Sequence, residues 1–343
     1  MAGIAQGSPA PAAPTLEDVA ARAGVSRSTA SRAINGGFKV SPGAQSAVDA
    51  AVAELRYIPN RAARTLVTRR ADSIALVVPE PDERVLNDPY FAGTVQGLSA
   101  ALDDADIQLV LLIARRGHET ARTLRYLRNG HVDGAVVVSH HRDDSLTQAL
   151  TESGLPCVFV GRPWTGADRV SYVDVDNRLG GRRATEHLIA AGCRRIGTIT
   201  GSLDMAAGAD RLAGWRDALT DAGLPTTAVA PGDFTTAGGA DAMETLLAQH
   251  PDLDGLFAAS DLMAVGALGV LEHAGRSVPR DVKVIGFDDL GVAAATNPAL
   301  TTMSNPVVEM SRTAAEILLA TIGGRSTGEP RIFDAEVVVR ASV

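Results

Sequence analysis

One side of the segment Arg27–Ile34 carries side chains that could read the base edges of duplex DNA. These are Arg27, Ser28 and Arg32, whereas the opposite side is apolar and includes Ala30. A guanidinium can donate two hydrogen bonds to O6 and N7 of guanine, and a serine hydroxyl can bond several bases. The pattern therefore allows direct contact with DNA, although a solvated amphipathic helix would carry the same pattern.

The elements around this segment form a predicted helix-turn-helix. Thr15 with Asp18 is typical of a helix N-terminus, and Gly24 breaks that helix. Ser26 is the expected cap of the second helix, and the residues Asn35-Gly36-Gly37 are expected to end it, because asparagine and glycine tolerate positive φ. Two short helices joined by a glycine-containing turn place the second helix in the major groove.

A third helix is predicted from Ser41-Pro42 to about Leu55. Residues 57–60 then lead into a possible helix over 61–67, which is too short to be stable alone in water.

The charge is distributed unevenly along the chain. The 343 residues carry a net charge of −8, but residues 15–70 carry +5 and residues 71–343 carry −13. A basic segment attached to an acidic remainder is typical of a phosphate-binding module on a separate domain. Residues 1–14 are uncharged and lack the features of a signal peptide, so they are expected to be a disordered leader, and the protein is expected to be cytoplasmic and associated with the nucleoid.

Residues 71–343 alternate between short apolar runs and helical stretches, which predicts a parallel α/β architecture. The apolar runs are 74–78, 107–113, 135–138, 157–160, 195–200, 256–259 and 282–287. The helical stretches include 91–105, 119–128, 178–191, 211–222, 239–249 and 263–274.

Polar and aromatic residues follow these strands, where ligands of parallel sheets bind. Arginine and aspartate can bond pairs of hydroxyls, and a flat ring can stack on the C–H face of a sugar. A buried arginine–aspartate pair could instead serve stability alone, the aromatic residues could be core, and Asp261 could simply cap a helix. The candidate ligand-binding residues are Tyr90, Phe91, His140, Arg162, Trp164, Arg211, Phe234, Ser260, Asp261 and Asp288.

The segment "TLEDVAARAGVSRSTASRAING", followed by "YIPNRAARTL", resembles the head and hinge of the LacI/GalR repressor family, and the similarity extends from residue 15 to about 340. The resemblance implies a helix-turn-helix domain at 15–60, a hinge helix and linker at 61–70, and an effector-binding and dimerisation domain at 71–343. That domain would consist of two Rossmann-like subdomains of the periplasmic-binding-protein type, joined by three crossovers. The expected boundaries are about 72–161 with 292–320, and 162–291 with 321–343.

The resemblance also assigns roles to individual residues. In this family the hinge folds on operator DNA and inserts a leucine into the minor groove, and Leu66 stands at that position with Ala63 beside it. The candidate DNA contacts are Thr15, Ser26, Arg27, Ser28, Thr29, Ser31, Arg32, Asn35, Tyr57, Asn60, Ala63 and Leu66.

Short motifs place the effector contacts of the family on this sequence. "RLAGW" puts Arg211 at an effector-binding arginine, "GFDD" puts Asp288 at an effector-binding aspartate, and "GDF" puts Phe234 at a stacking aromatic. Ser260 occupies a position that often carries asparagine. Gly161 replaces a ligand-binding aspartate, so Arg162 is expected to take over that contact.

The expected function is a repressor that binds a pseudo-palindromic operator as a homodimer and is released by a small sugar. "HVDGAVVVSHHRDD" and "FAASDLMA" are similar to actinobacterial regulators of cellulose use that sense cellobiose. Another sugar, a nucleoside or a purine remains an alternative effector, and a solute-binding protein is an alternative function. An enzyme is not expected, because the sequence contains no Walker loop and no His/Cys metal motif, and no cofactor is expected either.

Overall fold

The computed structural model describes residues 14–35, 40–57, 70–114, 118–143, 145–325 and 329–343. The chain divides into two compact units, Met1–Ala71 and Asp72–Val343, which we call the head and the body. The expected leader 1–14 and hinge 61–70 lie almost entirely outside the described residues. None of the described helices is long and apolar enough to cross a lipid bilayer.

The head consists of three helices whose ends are set by local hydrogen bonds. They are α1 (Leu16–Ala23), α2 (Arg27–Ile34) and α3 (Pro42–Leu55). The Thr15 hydroxyl accepts a bond from the Asp18 amide at 3.3 Å, and the Asp18 carboxylate accepts one from the Thr15 amide at 2.8 Å. This reciprocal capping box satisfies two amides that have no partner within the helix. Gly24, with φ of 65°, ends α1 in the left-handed conformation that glycine adopts without strain.

Serines begin the other two helices of the head. The Ser26 hydroxyl accepts a bond from the Thr29 amide at 3.1 Å, and the Ser41 hydroxyl accepts one from the Ala44 amide at 3.3 Å. Asn35 follows α2 as its C-terminal cap, as expected, with φ of −96°. The three helices meet at a small apolar core, in which Val19, Ala30 and Val48 are completely buried.

The body contains two six-stranded sheets. The first has the order β11-β5-β4-β3-β1-β2 and is entirely parallel, and the second has the order β12-β10-β9-β8-β6-β7 with only β12 antiparallel. The strands of the first sheet are β1 (Ser73–Val78), β2 (Gln108–Ile113), β3 (Gly134–Val138), β4 (Cys157–Val160), β5 (Ser171–Val175) and β11 (Arg331–Phe333). Those of the second are β6 (Ile196–Thr200), β7 (Val229–Pro231), β8 (Gly255–Ala258), β9 (Lys283–Asp288), β10 (Thr301–Ser304) and β12 (Val337–Val338).

Helices cover both sheets, which explains why several strands are apolar at every position. The helices that belong with the first sheet are α4 (Asp82–Asn87), α5 (Pro89–Asp103), α6 (His118–Arg128), α7 (Ser145–Ser153) and α13 (Val307–Ile322). Those with the second are α8 (Asn177–Ala190), α9 (Ala206–Asp221), α10 (Thr236–Gln249), α11 (Asp261–His273) and α12 (Val292–Ala295). We call each sheet with its helices a subdomain.

The strands place the subdomain boundaries differently from the sequence analysis. Strand β5, at 171–175, belongs to the first sheet although the boundary was expected at 161/162. Strand β10, at 301–304, belongs to the second sheet although 292–320 was expected in the first, and β11, expected in the second, belongs to the first. The expected boundaries are therefore corrected at these three places, and the chain crosses between the sheets near 176, 305 and 334–336.

The three crossover segments lie side by side and are hydrogen-bonded to one another. The Asp176 amide donates to the Phe333 carbonyl at 2.9 Å, and the Ser304 amide donates to the Glu336 carbonyl at 2.8 Å. The Glu336 amide donates in turn to the Ser304 hydroxyl at 2.9 Å. The connection between the subdomains is therefore a small bonded ribbon and not three independent linkers.

Candidate functional site

The outer side of α2 is the candidate DNA-reading surface. Arg27, Ser28 and Arg32 are exposed, as the sequence pattern predicted. Arg27 pairs with Glu17 of α1 at 2.6 Å, and Arg32 Nε donates to the carbonyl of Ser28 at 3.2 Å. Because the side chains of both arginines remain at the surface, their remaining donors can reach a base edge or a phosphate. Their contact with DNA stays a prediction.

Several of the other candidate DNA contacts have structural tasks within the head. Thr15 and Ser26 cap α1 and α2, and the Thr29 hydroxyl lies 2.9 Å from that of Ser26. Asn35 donates from its side chain to the Ser31 carbonyl at 2.8 Å. Accepting an amide bond leaves the proton of the Ser26 hydroxyl available, so capping leaves a phosphate contact possible there, whereas the Thr15 hydroxyl already donates to the Asp18 carboxylate at 2.7 Å.

The candidate contacts of the hinge are mostly beyond the described part of the head. Tyr57 is half-buried and packs against the small core. The remaining three, Asn60, Ala63 and Leu66, lie outside the described residues.

The body contains a cavity between the two sheets, at the carboxyl ends of the strands. Its empty volume is about 770 Å³, including space open to solvent, which is in the range of small-molecule sites. Eight of the ten candidate ligand-binding residues line it: Tyr90, Phe91, His140, Arg162, Arg211, Phe234, Ser260 and Asp288.

Arg211 on α9 is the most thoroughly fixed side chain of this cavity. It is 4% exposed, and its Nε donates to Asn177 Oδ1 at 2.8 Å. Its Nη1 donates to the Ala259 carbonyl at 2.6 Å and lies 3.4 Å from the Asp288 carboxylate. The guanidinium carbon lies 3.5 Å from the centre of the Phe287 ring. These contacts hold the charged group in one orientation at the cavity wall.

Asp288 provides a carboxylate at the end of β9. Its Oδ1 accepts a hydrogen bond from the Asn305 amide group at 3.1 Å, in addition to the contact with Arg211. Burial raises its pKa to about 6, against the opposing attraction of Arg211. Its φ of 120° is unusual for a residue other than glycine, and such backbone strain clusters at functional sites.

Three aromatic rings provide apolar surface. Tyr90 and Phe91 at the start of α5 meet edge to face, with ring centres 5.4 Å apart, and burial raises the pKa of Tyr90 above its usual value. Phe234 lies across the cleft with φ of 68°, and its ring fits against Gly201, where any β-carbon would overlap it. Flat apolar faces beside charged groups suit a ligand that presents both C–H and O–H groups.

His140 and Arg162 line the cavity from the first subdomain. The Nε2 atom of His140 lies 3.0 Å from the Gly161 carbonyl, and burial lowers its pKa to about 4, so its ring is neutral near pH 7. Arg162 pairs with Asp210 of α9 at 2.5 Å, across the cleft.

Two candidate residues are not among those that line the cavity, Trp164 and Asp261. Trp164 Nε1 donates to the Asp204 carbonyl. Asp261 is buried and accepts bonds from the Thr302 hydroxyl at 2.6 Å and the Asp289 amide at 2.8 Å. The helix cap expected from Asp261 is supplied instead by Ser260, whose hydroxyl accepts a bond from the Met263 amide at 3.3 Å.

The sequence analysis missed several polar residues that line the cavity: Arg84, Asp88, Asp174, Asn177 and Asn305. Asp174 in β5 is 6% exposed, and its carboxylate accepts bonds from the Arg162 and Val175 amides and from the Asn177 side chain, at 2.9, 2.9 and 3.0 Å. Burial raises its pKa to about 6. The sequence signal that could have identified Asp174 is an aspartate between two valines of a short strand.

The formal charges around the cavity are balanced. Arg84, Arg162 and Arg211 face Asp88, Asp174 and Asp288, and the one histidine on the wall, His140, is neutral. Outside the lining, Glu80 pairs with Arg84 and Asp210 pairs with Arg162, so the cavity has no excess of positive charge. Its donors and acceptors are suited to a neutral, hydroxyl-bearing ligand.

Comparison with known proteins gives similarity over both units. A family model described as "Bacterial regulatory proteins, lacI family" matches residues 15–60, and one described as "Periplasmic binding protein-like domain" matches residues 185–343. The chain is 49% identical, over 96% of its length and 98% of the relative, to "HTH-type transcriptional regulator CelR" of Thermobifida fusca. It is 32% identical to "HTH-type transcriptional regulator GalR" of Escherichia coli (strain K12), over 96% and 95% of the two chains.

Two solved structures resemble the whole arrangement. The CelR–cellobiose complex has a TM-score of 0.78 at 46% identity and covers 96% of this chain and 100% of the other. The lac repressor dimer bound to operator and the anti-inducer ONPF has a TM-score of 0.86 at 26% identity, over 96% and 98%.

Proposed function

The chain belongs to the lacI family of bacterial regulatory proteins, and from that premise we propose that cellobiose or a short cello-oligosaccharide releases it from its operator. It is a DNA-binding transcriptional regulator with a helix-turn-helix head and two parallel α/β subdomains. Our proposal concerns the effector, the residues that bind it and the direction of the response.

The observation that carries this proposal is the balanced charge of the cavity. Three buried or half-buried arginines and three aspartates can bond pairs of hydroxyls, while Tyr90, Phe91 and Phe234 offer flat apolar surface. A sugar phosphate would add two negative charges to a wall that has no excess of positive charge. A neutral saccharide requires no such compensation.

Cellobiose is the saccharide that the relatives favour. A relative 49% identical over nearly its whole length is named CelR, and a CelR structure contains cellobiose. Within this cavity we assign Arg211, Asp288 and Asn305 to ligand hydroxyls, and Phe234 to a pyranose face. Asp174 and Asp88 are further acceptors at the same wall.

The mechanism that we propose couples the cavity to the head through a dimer. Two chains pair through their bodies and present two heads to a pseudo-palindromic operator, so that the symmetry of protein and DNA agree. Effector that prefers one arrangement of the subdomains shifts the population towards it, in proportion to its difference in affinity for the two arrangements. The hinges, including Leu66, then no longer fold together in the minor groove, and the operator is released.

In this proposal the regulator acts on DNA in the cytoplasm. The two relatives described above are both named as transcriptional regulators, which supports a regulator and not an enzyme.

An operator recovered by selection from random duplexes provides the test. Fluorescence anisotropy of the labelled duplex with full-length protein should fall as cellobiose is added, at concentrations where glucose, maltose, adenosine and guanosine have no effect.

Salt provides the control for operator binding. The logarithm of the binding constant should fall linearly with the logarithm of the salt concentration, because phosphate contacts release counterions. A protein that prefers no duplex over random competitor at moderate ionic strength would contradict the regulator itself. Release by guanosine or another sugar in place of cellobiose would contradict only the effector.

A further inference from the structure

Three residues of the first subdomain converge on one residue of the second, Asp204: two through their side chains and one through its backbone amide. Asp204 lies between β6 and α9, at the mouth of the cleft. The three are His141 and Arg142, which follow β3, and Trp164, which follows β4. We call these four residues the clasp.

Each member of the clasp makes a short contact across the cleft. His141 Nδ1 lies 2.9 Å from Asp204 Oδ2, and the Arg142 amide donates to the Asp204 carbonyl at 2.7 Å. The Trp164 indole N–H donates to the same carbonyl. The guanidinium of Arg142 covers the Trp164 ring at 4.1 Å and also donates to the Leu203 carbonyl at 3.4 Å. One backbone carbonyl therefore receives two donors from the opposite subdomain.

The first subdomain anchors the clasp through a buried polar cluster. His141 Nε2 lies 2.9 Å from Glu80 Oε1, and Glu80 also accepts bonds from the Ser139 hydroxyl at 2.6 Å and from Arg84 at 3.0 Å. Burial opposes the ionisation of Glu80, but its bonds with His141 and Ser139 and the charge of Arg84 together lower its pKa. Glu80 is only 4% exposed, so it is a fixed support for the His141 ring. This support keeps His141 Nδ1 facing Asp204.

The four residues of the clasp are not among those that line the cavity. Trp164 is not part of the cavity wall, its indole donor is occupied, and one face of its ring is covered by Arg142. Met205 and Ala206, which follow Asp204 directly, do line the cavity. Contacts to Asp204 therefore fix the position of part of the cavity wall.

We propose that His141, Arg142 and Trp164 are positioning residues that hold the cleft closed over the effector by gripping Asp204. The identity of the effector in this inference rests on the proposed function, whereas the contacts of the clasp do not depend on it. The clasp's contacts with Leu203 and Asp204 connect the two subdomains, so they form only when the cleft is closed. They stabilise the closed arrangement over an open one, and the effector leaves more slowly as a result.

Trp164→Phe tests the clasp, because phenylalanine keeps a ring beneath Arg142 and removes only the indole donor. Loss of one neutral hydrogen bond should speed the dissociation of cellobiose by about 2- to 10-fold, with association slowed less than 2-fold. The control is Arg169→Gln in the same loop, because the Arg169 side chain is 76% exposed and lies 4.0 Å from the carboxylate of its neighbour Asp168, so both rates should stay unchanged. Surface plasmon resonance with immobilised protein gives the two rates without relying on Trp164 fluorescence.

A second pair of variants separates the clasp from a direct ligand contact. His141→Gln and Asp204→Asn should each speed dissociation, and together by less than the product of the single effects, because both remove the same contact. A positioning effect changes the rate by the same factor for cellobiose and cellotriose. Factors that differ between the two sugars would place these residues on the ligand and overturn the clasp.

Fluorescence quenching tests the clasp without a ligand. The chain has two tryptophans, and Trp215 is completely buried, so acrylamide reports mainly on Trp164. His141→Gln should raise the quenching constant of the ligand-free protein, and Arg169→Gln should not.

The outcomes distinguish the two proposals. If wild type binds cellobiose and the clasp variants leave its dissociation unchanged, the clasp is wrong and the proposed function stands. If wild type binds no saccharide, the proposed effector is wrong, and quenching decides: unchanged quenching in His141→Gln overturns the clasp, and increased quenching supports it.

Discussion

Replacing Arg211 by methionine removes the buried cation of the cavity while keeping a long side chain in place. The change leaves Asn177 Oδ1 and the Ala259 carbonyl without a donor, and it removes the charge 3.4 Å from Asp288. Methionine can still pack against the Phe287 ring. The variant therefore isolates the electrostatic role of the guanidinium from its role in filling space.

The expected cost is large, because Arg211 is 4% exposed and its partner Asp288 stays behind. Removing one partner of a buried ion pair destabilises a protein by about 3–5 kcal/mol. The desolvated carboxyl of Asp288 already has its pKa raised to about 6, and Arg211 is the charge that opposes a further rise. In the variant this pKa should therefore lie higher than in the wild type.

The pH dependence of the stability deficit follows from this higher pKa of Asp288 in the variant. A carboxyl whose pKa is higher in the folded state than in the unfolded state stabilises the fold when protonated, and this contribution is lost as the pH rises through the folded-state value. Since the carboxyl of the variant protonates at a higher pH than that of the wild type, the deficit in unfolding free energy should shrink between pH 8 and pH 6. Over the pH range in which only the variant takes up the proton, the deficit in unfolding free energy shrinks by about 1.4 kcal/mol per pH unit.

Denaturant unfolding of the full-length protein, followed through Trp215, measures this deficit. Trp215 is fully buried on the same helix, so its emission reports the body. The matched control is Arg178→Met, because Arg178 makes two hydrogen bonds to Asp217 at 2.7 and 3.1 Å but its side chain is 61% exposed. The control should change the unfolding midpoint little. A deficit as small as that of the control, or one that is the same at pH 8 and pH 6, would refute the argument.

Three further predictions concern binding. The affinity for cellobiose should fall below about pH 6, because burial raises the pKa of Asp174 and of Asp288 to about 6. At pH 5 the loss should be about tenfold for each carboxylate that must accept a ligand hydroxyl. A flat affinity profile from pH 5 to 8 in calorimetry would exclude both carboxylates as ionised acceptors. Arg32→Ala should reduce discrimination between operator variants by about 1–3 kcal/mol per contacted base pair, whereas uniform weakening on all duplexes would indicate a phosphate contact. Leu66→Ala should weaken operator binding and leave cellobiose affinity intact in calorimetry, and loss of both would contradict the minor-groove role.

The head was predictable because its signals are local. Thr15 with Asp18, Gly24, Ser26 and Ser41 each act on amides within three or four residues, so sequence spacing alone identifies the helix ends. Asn35 ends α2 where the sequence placed the end, with φ of −96°. At this position, the amide bond to Ser31 continues the helical geometry.

The central strands of the body were predictable for a different reason. Strands covered on both faces are continuous apolar runs, as in β1, β3 and β4. Strands β5, β10, β11 and β12 were not predicted as elements, because they are short or carry polar residues, and these strands fix where the chain crosses between sheets. The subdomain boundaries were misplaced for that reason.

The cavity was predictable where the residue follows a recognisable strand. Arg211, Phe234 and Asp288 lie where strand ends and motifs placed them, although their contact with a ligand stays a proposal. Arg84 and Asp174 were missed because no local pattern shows which polar side chain of a helix or a strand faces a cleft formed by residues distant in sequence. The same limitation explains why Trp164, a candidate ligand-binding residue, is not among the residues that line the cavity.

The three bonded crossovers near 176, 305 and 334–336 limit how this body can diversify. Neither half is a continuous stretch of chain, so a chimaera made by exchanging one contiguous segment with a relative splits at least one half between two parents. Mismatched strands would then meet inside a single sheet. New effector preference is therefore accessible through point changes at the cavity wall, or through replacement of the whole of Asp72–Val343, which leaves the head and its operator untouched.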